Sequence, residues 1–519
     1  MLRAGFLAGI FLVASTACGA EESPGVIAAA PVVTAPVVPE VQPRVPDAAL
    51  KSKLRGVIAR WVEKAGKLTK GKAASKHVRV ALHVRERGRG GELVSISSTR
   101  AQPPASNMKL VTSAAALVLL GSDWQFQTRF AADGPIENGT LQGDLVVFAA
   151  GDPLYGRETA GDVDSWLDPV SAKLVQAGIT TITGNLVLDE GTFAEPGPAP
   201  GWPDSSQFWQ DYCALSGGFT ANAGCVTATV TPTSSGRDAR VQVEPHNHGL
   251  PTRIGVRTGA AKSRPNVIVG ANQGRVIVKG GYPAKAKPWE GSFSHPDPVA
   301  LFGAAFRGSL KEAGIQLRGE VVRERGRDHE KLRDLAILES PLLDTLVPIN
   351  TDSNNSVAEQ VLLALGNAIG GKGSRQGGAS AVRIGLERLG VSTTGLVLSD
   401  GSGLSRDNRV SAAGLTALIN EVMSLDEVTA AAFRDSLAVG GETGTLDGRL
   451  KHERTRGRVF AKTGWISGVS ALSGLVLDGK ERELIFSILV EYPRLGGLNT
   501  SCWKPMQDEI CEILAGYEN

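Results

Sequence analysis

The chain has 519 residues, of which 42% are hydrophobic and 21% are charged, and its formal net charge is +2. This length is enough for two or three domains with large cores, and the composition is that of a globular protein. A charge so near zero provides no strong basic field, so we expect no nucleic acid among the partners. The 63 glycines and 27 prolines predict many turns and a β-rich portion.

Residues 1–18 have the pattern of a signal peptide. Arg3 supplies the positive end, Gly5 to Ala14 form an apolar stretch, and small residues precede Cys18 directly. The apolar stretch is too short to span a bilayer comfortably. Cys18 with its small neighbours is similar to a bacterial lipoprotein signal, although Ser15 stands where such a signal usually has leucine. Two outcomes stay open: a membrane tether through a lipid on Cys18, and plain secretion.

Residues 19–47 are rich in Pro, Val, Ala and Thr and have almost no periodicity. That composition predicts an extended linker, which at roughly 3 Å per residue could reach up to about 90 Å. Such a linker could tether the folded body to a lipid anchor at Cys18. The alternative is an unstructured leader without a role.

The five cysteines lie at Cys18, Cys213, Cys225, Cys502 and Cys511. If Cys18 is processed, the other four can pair in three ways. Local pairing of Cys213 with Cys225 and of Cys502 with Cys511 is the simplest, and an exported protein permits disulfides. No cysteine or histidine spacing predicts a metal site, and no cofactor is expected. The His-x-His of residues 246–248 lies in a Pro/Gly-flanked loop and is not expected to bind a metal.

The N-terminal part of the body alternates helix and strand patterns. Residues 47–66 have apolar side chains at helical spacing, which predicts an amphipathic helix. Alternation over 78–84 and an apolar run over 93–96 predict two strands. An apolar-rich run then begins at Ser106 and is stopped by Gly121, which predicts a helix that opens at the serine.

Residues 131–335 look different, because short strand-like runs alternate there with Gly/Pro turns and only one helix-like run, at about 164–177, interrupts them. Helical patterning returns after residue 336, and the chain closes with strand-like runs between 459 and 490. These patterns predict one α/β domain, formed by residues 48–130 and 336–519, that is split by a β-rich insertion.

Ser106 and Lys109 form a Ser-x-x-Lys motif at the predicted helix start. Positions three apart share a helix face, so the lysine amine can reach the serine hydroxyl. A free serine is a poor nucleophile and needs a base, and a desolvated lysine can serve as one. By itself the motif is weak evidence, because a pattern of two fixed residues occurs by chance in a chain of this length. Ser501 and Lys504 form a second match, which contains Cys502 and lies near the C-terminus, and we interpret it as coincidence.

Ser353 and Asn355 form a Ser-x-Asn motif just before a predicted helix. The hydroxyl of Ser353 could relay a proton to a leaving amine, and the amide of Asn355 could bind a substrate carbonyl and contact Lys109. Either residue could instead be only the N-cap of that helix, although capping and catalysis are compatible.

Lys462, Thr463 and Gly464 form a Lys-Thr-Gly triplet on a strand-like run. The cation and the hydroxyl would bind a substrate carboxylate, and the glycine would let a peptide strand approach closely. A peptide added to this edge would place its scissile bond over Ser106. Backbone N–H groups of Ser106 and Trp465 are candidates for an oxyanion hole. As a lone tripeptide, the triplet is more often an ordinary turn.

In this order the three motifs are the set described for class A β-lactamases and penicillin-binding proteins. The chain resembles the class C low-molecular-mass penicillin-binding proteins, which are bacterial D-alanyl-D-alanine carboxypeptidases/endopeptidases. Further matching segments are 104–112, 151–153, 358–359, 400–406, 441–446 and 468–469. The long interval between Lys109 and Ser353 matches the large insertion of this class, which β-lactamases lack.

The resemblance implies a penicillin-binding-protein/serine β-lactamase-like transpeptidase domain, of α/β (α+β) class, split by a β-rich insertion of two modules. It implies Ser106 as nucleophile, Lys109 as its base and Ser353 as a proton shuttle. The residues implied in substrate binding are Asn355, Lys462, Thr463, Gly464, Trp465, Arg406 and Asp189. Trp465 departs from the family pattern, because a hydroxyl residue usually follows the triplet.

The activity implied is that of a periplasmic serine D-Ala-D-Ala carboxypeptidase on peptidoglycan stem peptides, with β-lactam antibiotics as covalent inhibitors. Endopeptidase action on cross-links is left open, as is the oligomeric state. Two alternatives are a β-lactamase of the same fold, which the long insertion and the Ser-x-Asn motif disfavour, and an inactive peptidoglycan-binding protein, which three intact motifs disfavour.

Overall fold

The computed structural model of the protein describes residues 43–156, 166–272, 274–328 and 330–519. The predicted signal peptide, Cys18 and nearly all of the predicted linker lie outside the described residues. The α-helices of the described part are α1 (Ala48–Leu68), α2 (Met108–Leu120), α3 (Asp168–Gln176), α4 (Pro298–Glu312), α5 (Leu346–Asn350), α6 (Asn355–Gly370), α7 (Arg375–Arg388), α8 (Ala412–Val422), α9 (Glu427–Asp435) and α10 (Lys504–Ala515).

The strands alternate with these helices at both ends of the chain and cluster between α2 and α5. They are β1 (Arg79–Glu86), β2 (Val94–Ile96), β3 (Gln125–Asp133), β4 (Ile136–Glu137), β5 (Thr140–Leu141), β6 (Asp144–Phe148), β7 (Thr181–Ile182), β8 (Leu186–Asp189), β9 (Cys225–Thr231), β10 (Arg240–Glu244), β11 (Thr252–Gly259), β12 (Ile268–Asn272), β13 (Arg275–Pro283), β14 (Trp289–Ser294), β15 (Gln316–Leu317), β16 (Val321–Glu324), β17 (Arg333–Pro341), β18 (Ala438–Val439), β19 (Val459–Ile466), β20 (Val469–Leu477) and β21 (Glu483–Glu491).

The main sheet is antiparallel and has the order β18-β19-β20-β21-β1-β2. Strands from the two ends of the chain meet in it, because β1 pairs with β21 along its whole length, from Arg79 opposite Glu491 to Glu86 opposite Leu484. Successive side chains of a strand point to opposite faces. Ala471 and Leu475 therefore pack with α2, α6 and α8, whereas the alternate residues of β20 pack with α1 and α10.

Helix α2 lies wholly inside the protein. Its residues from Met108 to Leu117 are buried, and most of them are apolar, as expected for a core helix. It packs against α6, α7 and α8. The polar residues at its start, Ser106 and Lys109, are therefore held by a rigid core.

The described residues of the insertion form four further sheets. The one nearest the main body has the order β16-β8-β6-β3-β17, and the other three have the orders β15-β7-β5-β4, β10-β9-β14 and β11-β13-β12. The chain enters and leaves through β3 and β17, which pair antiparallel with each other and extend across the predicted limits at residues 130 and 336.

The sequence patterns did not lead us to predict helix α4, which lies in the insertion. It begins after Asp297, whose carboxylate accepts hydrogen bonds from the N–H groups of Val299 and Ala300, and it has proline at its first position. An Asp-Pro start is a recognised helix signal. Phe302 and Phe306 then bury the helix against the inserted sheets.

The predicted disulfides are wrong. Cys213, Cys225, Cys502 and Cys511 are buried thiols, and no disulfide joins cysteines in the described part of the chain. Cys502 and Cys511 lie nine positions apart on one continuous helical run. That spacing is roughly 13 Å along a helix axis, whereas a disulfide needs Cα atoms about 5.5–6 Å apart. Burial raises the pKa of the Cys213 thiol to about 12.

Candidate active site

Ser106 lies in a single 3₁₀ turn, Ala105–Asn107, that leads directly into α2. Ala105 has a φ of 48°, and the strained turn fits closely against the loop of residues 400–406. A Cβ atom at Gly403 would lie 1.9 Å from the Ala105 carbonyl oxygen and 2.9 Å from the Ser106 nitrogen. Only glycine fits there, so this loop helps to hold the serine in place.

The Lys109 amine is completely buried beside the serine. Its Nζ donates to Asn355 Oδ1 and to the Ser402 carbonyl oxygen, both at 2.6 Å, and lies 3.3 Å from Ser106 Oγ. Burial lowers the pKa of Lys109 to about 7, although the charges of Asp400 and Glu359 act to raise it. At neutral pH much of this amine is therefore neutral and able to accept the serine proton.

Ser353 and Asn355 lie at the start of α6, where Asn354 is the cap. The Asn354 side chain accepts from the Val357 N–H at 3.3 Å, so capping accounts for neither of the two motif residues. Ser353 has a φ of 64°, a left-handed conformation that is uncommon for serine. The Asn355 amide joins two parts of the molecule, since its Oδ1 accepts from Lys109 and its Nδ2 donates to the Tyr212 carbonyl oxygen of the insertion at 2.8 Å.

The Lys-Thr-Gly triplet lies on β19, next to the serine turn. Lys462 is buried, and its pKa falls well below the usual value because of burial and of the nearby Lys109 charge. Thr463 Oγ1 donates to Thr445 Oγ1 at 2.8 Å. A Cβ atom at Gly464 would lie 2.9 Å from the Pro104 carbonyl oxygen. The glycine is thus required by the nucleophile segment itself, a reason that the sequence interpretation did not foresee.

The edge of β19 that carries the triplet is largely open. Strand β18 pairs only with Phe460 and Ala461, so within the described chain no strand covers β19 from Lys462 to Ile466 on that side. Trp465 is 59% exposed there, and its side chain hydrogen-bonds Tyr492. An extended peptide could add to this edge.

Asn107 is a residue of the site that sequence reasoning missed. It is buried, its Nδ2 donates to the Lys462 carbonyl oxygen at 2.8 Å, and its Oδ1 accepts from Ser473 Oγ at 2.6 Å. The side chain therefore ties the serine turn to β19 and β20. Its position between Ser106 and Lys109 was visible, but its partners are more than 350 positions away in the chain.

Two buried carboxylates, those of Asp400 and Glu359, lie near enough to Lys109 for their charges to act on its amine. Asp400 accepts from the N–H groups of Gly403 at 2.7 Å and Ser405 at 2.6 Å, and from Trp202 Nε1 at 2.7 Å. Glu359 accepts from the Ser402 N–H at 2.9 Å and pairs with Arg375 Nε at 2.9 Å. Burial, followed by the Asp400 charge, raises the pKa of Glu359.

The insertion reaches this network through a segment around Trp202. Besides its bond to Asp400, the Trp202 ring lies under the Arg375 guanidinium, 5.3 Å from the ring centroid. The carbonyl oxygens of Pro200 and Gly201 accept from Ser405 Oγ at 2.5 Å and from the Arg406 N–H at 3.0 Å. The β-rich insertion thus forms one wall of the site, which the strand patterns alone did not indicate.

Residues 68–514 match the family model described as the D-Ala-D-Ala carboxypeptidase 3 (S13) family. The chain belongs to this family. It is 35% identical over 447 residues to the D-alanyl-D-alanine carboxypeptidase of Actinomadura sp. (strain R39), covering 82% of this chain and 79% of that protein. Membership confirms the predicted resemblance to class C penicillin-binding proteins.

A solved structure with the same fold is penicillin binding protein 4 from Haemophilus influenzae, with a TM-score of 0.70, 24% identity, and coverage of 85% of this chain and 97% of that one. A second structure of that protein, complexed with a β-lactam, gives a TM-score of 0.65 at 24% identity, with the same coverage of both chains. The predicted fold class is confirmed.

The structure brings most of the predicted site residues of this S13 chain together. Ser106, Lys109, Asn355 and the triplet lie in one cluster, bridged by Asn107 and by Lys109 itself. Arg406 borders the cluster on the side of Tyr492, and burial together with the Arg494 charge lowers its pKa.

Asp189 does not join this cluster. It is buried at the end of β8, where its carboxylate accepts from the N–H groups of Gly191 at 2.8 Å, Gly326 at 2.9 Å and Arg327 at 2.7 Å. Three backbone donors leave it little capacity for a substrate amine, so the expected substrate contact does not fit this geometry. The adjacent Glu190 is also buried and pairs with Arg323, whose Nε lies 2.7 Å from its Oε1.

Among the residues that the structure describes, no three His, Cys, Asp or Glu side chains are arranged to hold a metal ion.

Proposed function

We propose that this chain is a serine D-Ala-D-Ala carboxypeptidase that hydrolyses peptidoglycan stem peptides through an acyl-enzyme on Ser106. The observation that carries the proposal is the buried Lys109 amine, 3.3 Å from Ser106 Oγ and with a pKa of about 7. A base of that pKa can accept the serine proton near neutral pH.

In the first half of the reaction, Ser106 Oγ attacks the carbonyl carbon of the penultimate D-Ala and Lys109 takes its proton. The N–H groups of Ser106 and Trp465 stabilise the oxyanion. The C–N bond then breaks, and Ser353 relays the proton to the leaving D-Ala amine. Water next attacks the ester and gives its proton to Lys109, the acyl C–Oγ bond breaks, and Lys109 returns that proton to Ser106 Oγ as the shortened peptide leaves.

Substrate binding uses the open edge of β19. A peptide strand added beside Thr463 and Trp465 places its terminal carboxylate near Lys462 and the Thr463 hydroxyl. A carboxylate at that point would favour the protonated form of Lys462, which burial otherwise disfavours. Asn355 binds the substrate amide, and Arg406 lies beside the same cleft. The inserted sheets, of which we propose two modules over 131–335, supply the opposite wall through Tyr212.

The decisive experiment measures acylation by intact-protein mass spectrometry. The purified protein incubated with benzylpenicillin should gain one adduct, and Ser106→Ala should gain none. Ser501→Ala is a matched control, because it removes the serine of the other Ser-x-x-Lys match and should acylate like the wild type. Absence of an adduct on the wild type would overturn the proposal and favour an inactive peptidoglycan-binding protein.

Substrate preference is tested separately. Release of D-Ala from a pentapeptide stem is expected, and digestion of cross-linked dimers would add endopeptidase activity to the proposal. Rapid multiple turnover of nitrocefin, in place of a stable adduct, would instead indicate a β-lactamase.

We propose export to the periplasm, with Cys18 as a lipid attachment point. No helix in the described ranges is long and apolar enough to cross a membrane. Metabolic labelling with a radioactive fatty acid should mark the wild type and not Cys18→Ser. Equal labelling of both proteins would reject the tether.

A further inference from the structure

A groove lies at the end of the main sheet farthest from β19, between α1 and the start of β1. Its volume is about 400 Å³. The side chains of Ile58 and Val62 from α1, of Val78 and Val80, and of Ile96 from β2 line it and are only partly buried. None of the catalytic residues lines this groove, so it is separate from the active site.

One wall of the groove is an open strand edge. Strand β2 pairs with β1 only from Leu82 to Val84 and ends at Ile96, whereas β1 begins at Arg79. The Val84 carbonyl oxygen accepts from the Leu93 N–H on the β2 side. Backbone groups of alternate residues point to the same side of a strand. The N–H and C=O of Val80 therefore face the groove, beyond the end of β2.

A buried side-chain amide also lines the groove. Gln102 is 2% exposed, and in the described structure neither its Nε2 nor its Oε1 has a hydrogen-bond partner. A buried amide without partners destabilises the folded protein, because it loses its hydrogen bonds to water without replacing them. A ligand that offers both a donor and an acceptor, as a peptide backbone does, would remove that cost.

All the charged side chains that line the groove are arginines. Its lining includes Arg55, Arg79 and Arg100 and no carboxylate. Arg79 pairs with Glu491 at 3.0 Å. Arg55 and Arg100 have no ion-pair partner among the described residues. The rim thus favours an anionic occupant.

We propose that this groove binds an extended acidic segment of a partner protein, which adds a short strand beside Val80 and directs its carboxylates to Arg55 and Arg100. Strand addition uses the open backbone, the apolar floor takes alternate side chains of the segment, and the Gln102 amide pairs with its backbone. A small anion would leave the strand edge and the apolar floor uncovered.

The test uses the whole purified protein and a fluorescent peptide, acetyl-Glu-Val-Thr-Val-Glu-Val-amide, whose binding is followed by fluorescence anisotropy at low salt. Arg55→Glu with Arg100→Glu should weaken binding at least about tenfold, since two attractive pairs become repulsive. Gln102→Leu should weaken it by a smaller factor. Arg253→Glu with Arg388→Glu is the matched control, because it makes the same charge change on two exposed residues elsewhere and should bind like the wild type.

Three further measurements decide the mode of binding. The same peptide with Lys in place of Glu should not bind, and hydrogen exchange of residues 78–81 should slow when the acidic peptide is present. Acylation of Ser106 by benzylpenicillin should leave binding unchanged. Equal affinity of both double variants, binding of the Lys peptide, unchanged exchange at 78–81 or loss of binding on acylation would each overturn the proposal.

Discussion

Two regions of this molecule, the site cluster and the inserted sheet, each bury a charged side chain. In the site cluster, Lys109 is buried, and its desolvation outweighs the Asp400 and Glu359 charges, so its pKa falls to about 7. In the inserted sheet, Asp189 is equally buried, but three backbone N–H groups donate to its carboxylate. Burial alone therefore does not mark a functional residue.

The two groups differ in their partners, since Lys109 Nζ donates to oxygens of other predicted site residues and of the adjoining loop, whereas Asp189 accepts only from backbone N–H groups of loops in the insertion. Hydrogen bonds to the charged form offset desolvation, and a group so stabilised holds neighbouring segments in place. A group whose desolvation outweighs its partners has a displaced pKa and can exchange protons near neutral pH. We therefore expect Lys109 to act in proton transfer and Asp189 to hold the loops around it in place, which is testable residue by residue.

The largest expected effect follows removal of the amine. Lys109→Met should slow acylation of Ser106 by benzylpenicillin about 10²- to 10⁴-fold, because the serine loses its base. Stopped-flow or quenched mass spectrometry measures the rate constant. Lys504→Met, in the second Ser-x-x-Lys match, is the control and should not change it. A loss of less than tenfold would mean that another group is the base.

The pH dependence should follow the Lys109 amine. The acylation rate should fall about tenfold for each pH unit below about 7, because the protonated amine cannot accept the serine proton.

The same pKa bears on stability. Lys109 has a usual pKa of 10.5 and about 7 in the folded protein, so between these values the unfolded chain binds more protons and the free energy of unfolding should rise with pH. Lys109→Met should lose that pH-dependent increase in the free energy of unfolding.

A wild-type acylation rate that is flat from pH 5 to 8 would contradict the assignment of Lys109 as the base.

The Asp400 charge should tune this titration. Asp400→Asn removes a charge that raises the Lys109 pKa, so the acidic limb of the rate profile should move to lower pH, by up to about one unit. Asp189→Asn is the matched control and should leave the limb in place. An unmoved limb in Asp400→Asn would show that its charge does not reach the amine.

Trp202→Phe should have a smaller effect. It removes the N–H that donates to Asp400 but keeps a ring beside Arg375, so we expect a few-fold slower acylation and a free energy of unfolding lower by about 1.5–3 kcal/mol. Trp166→Phe is the control, because the Trp166 Nε1 is buried without a hydrogen-bond partner in the described structure. Equal losses in both variants would attribute the effect to packing.

The smallest effect on catalysis is expected at Asp189. Asp189→Ala should leave the acylation rate within about twofold of the wild type, yet lower the free energy of unfolding by about 1–3 kcal/mol, because backbone donors are left unpaired. Chemical denaturation and the penicillin assay on the same preparation measure both. A large loss of activity without a loss of stability would restore Asp189 as a substrate ligand.

The sequence by itself determined the pieces with local signals. Helical spacing predicted α1 and α2, alternation predicted β1 and the final strands, and the order of the three motifs led to the family and to the residues of the cluster. These features can be predicted from sequence because each signal depends on residues within a few positions of one another. The Asp-Pro start of α4 was also visible but was overlooked.

Only the tertiary structure decided which distant groups meet. Asn107 is paired with Lys462 and Ser473, Trp202 with Asp400, and the Asp189 carboxylate with backbone donors of the segment that follows β16. The predicted disulfides failed for the same reason, because short separation in sequence does not give the distance between cysteines on a helix. Burial and pairing depend on packing over hundreds of residues, and they set the pKa of Lys109 on which the proposed chemistry depends.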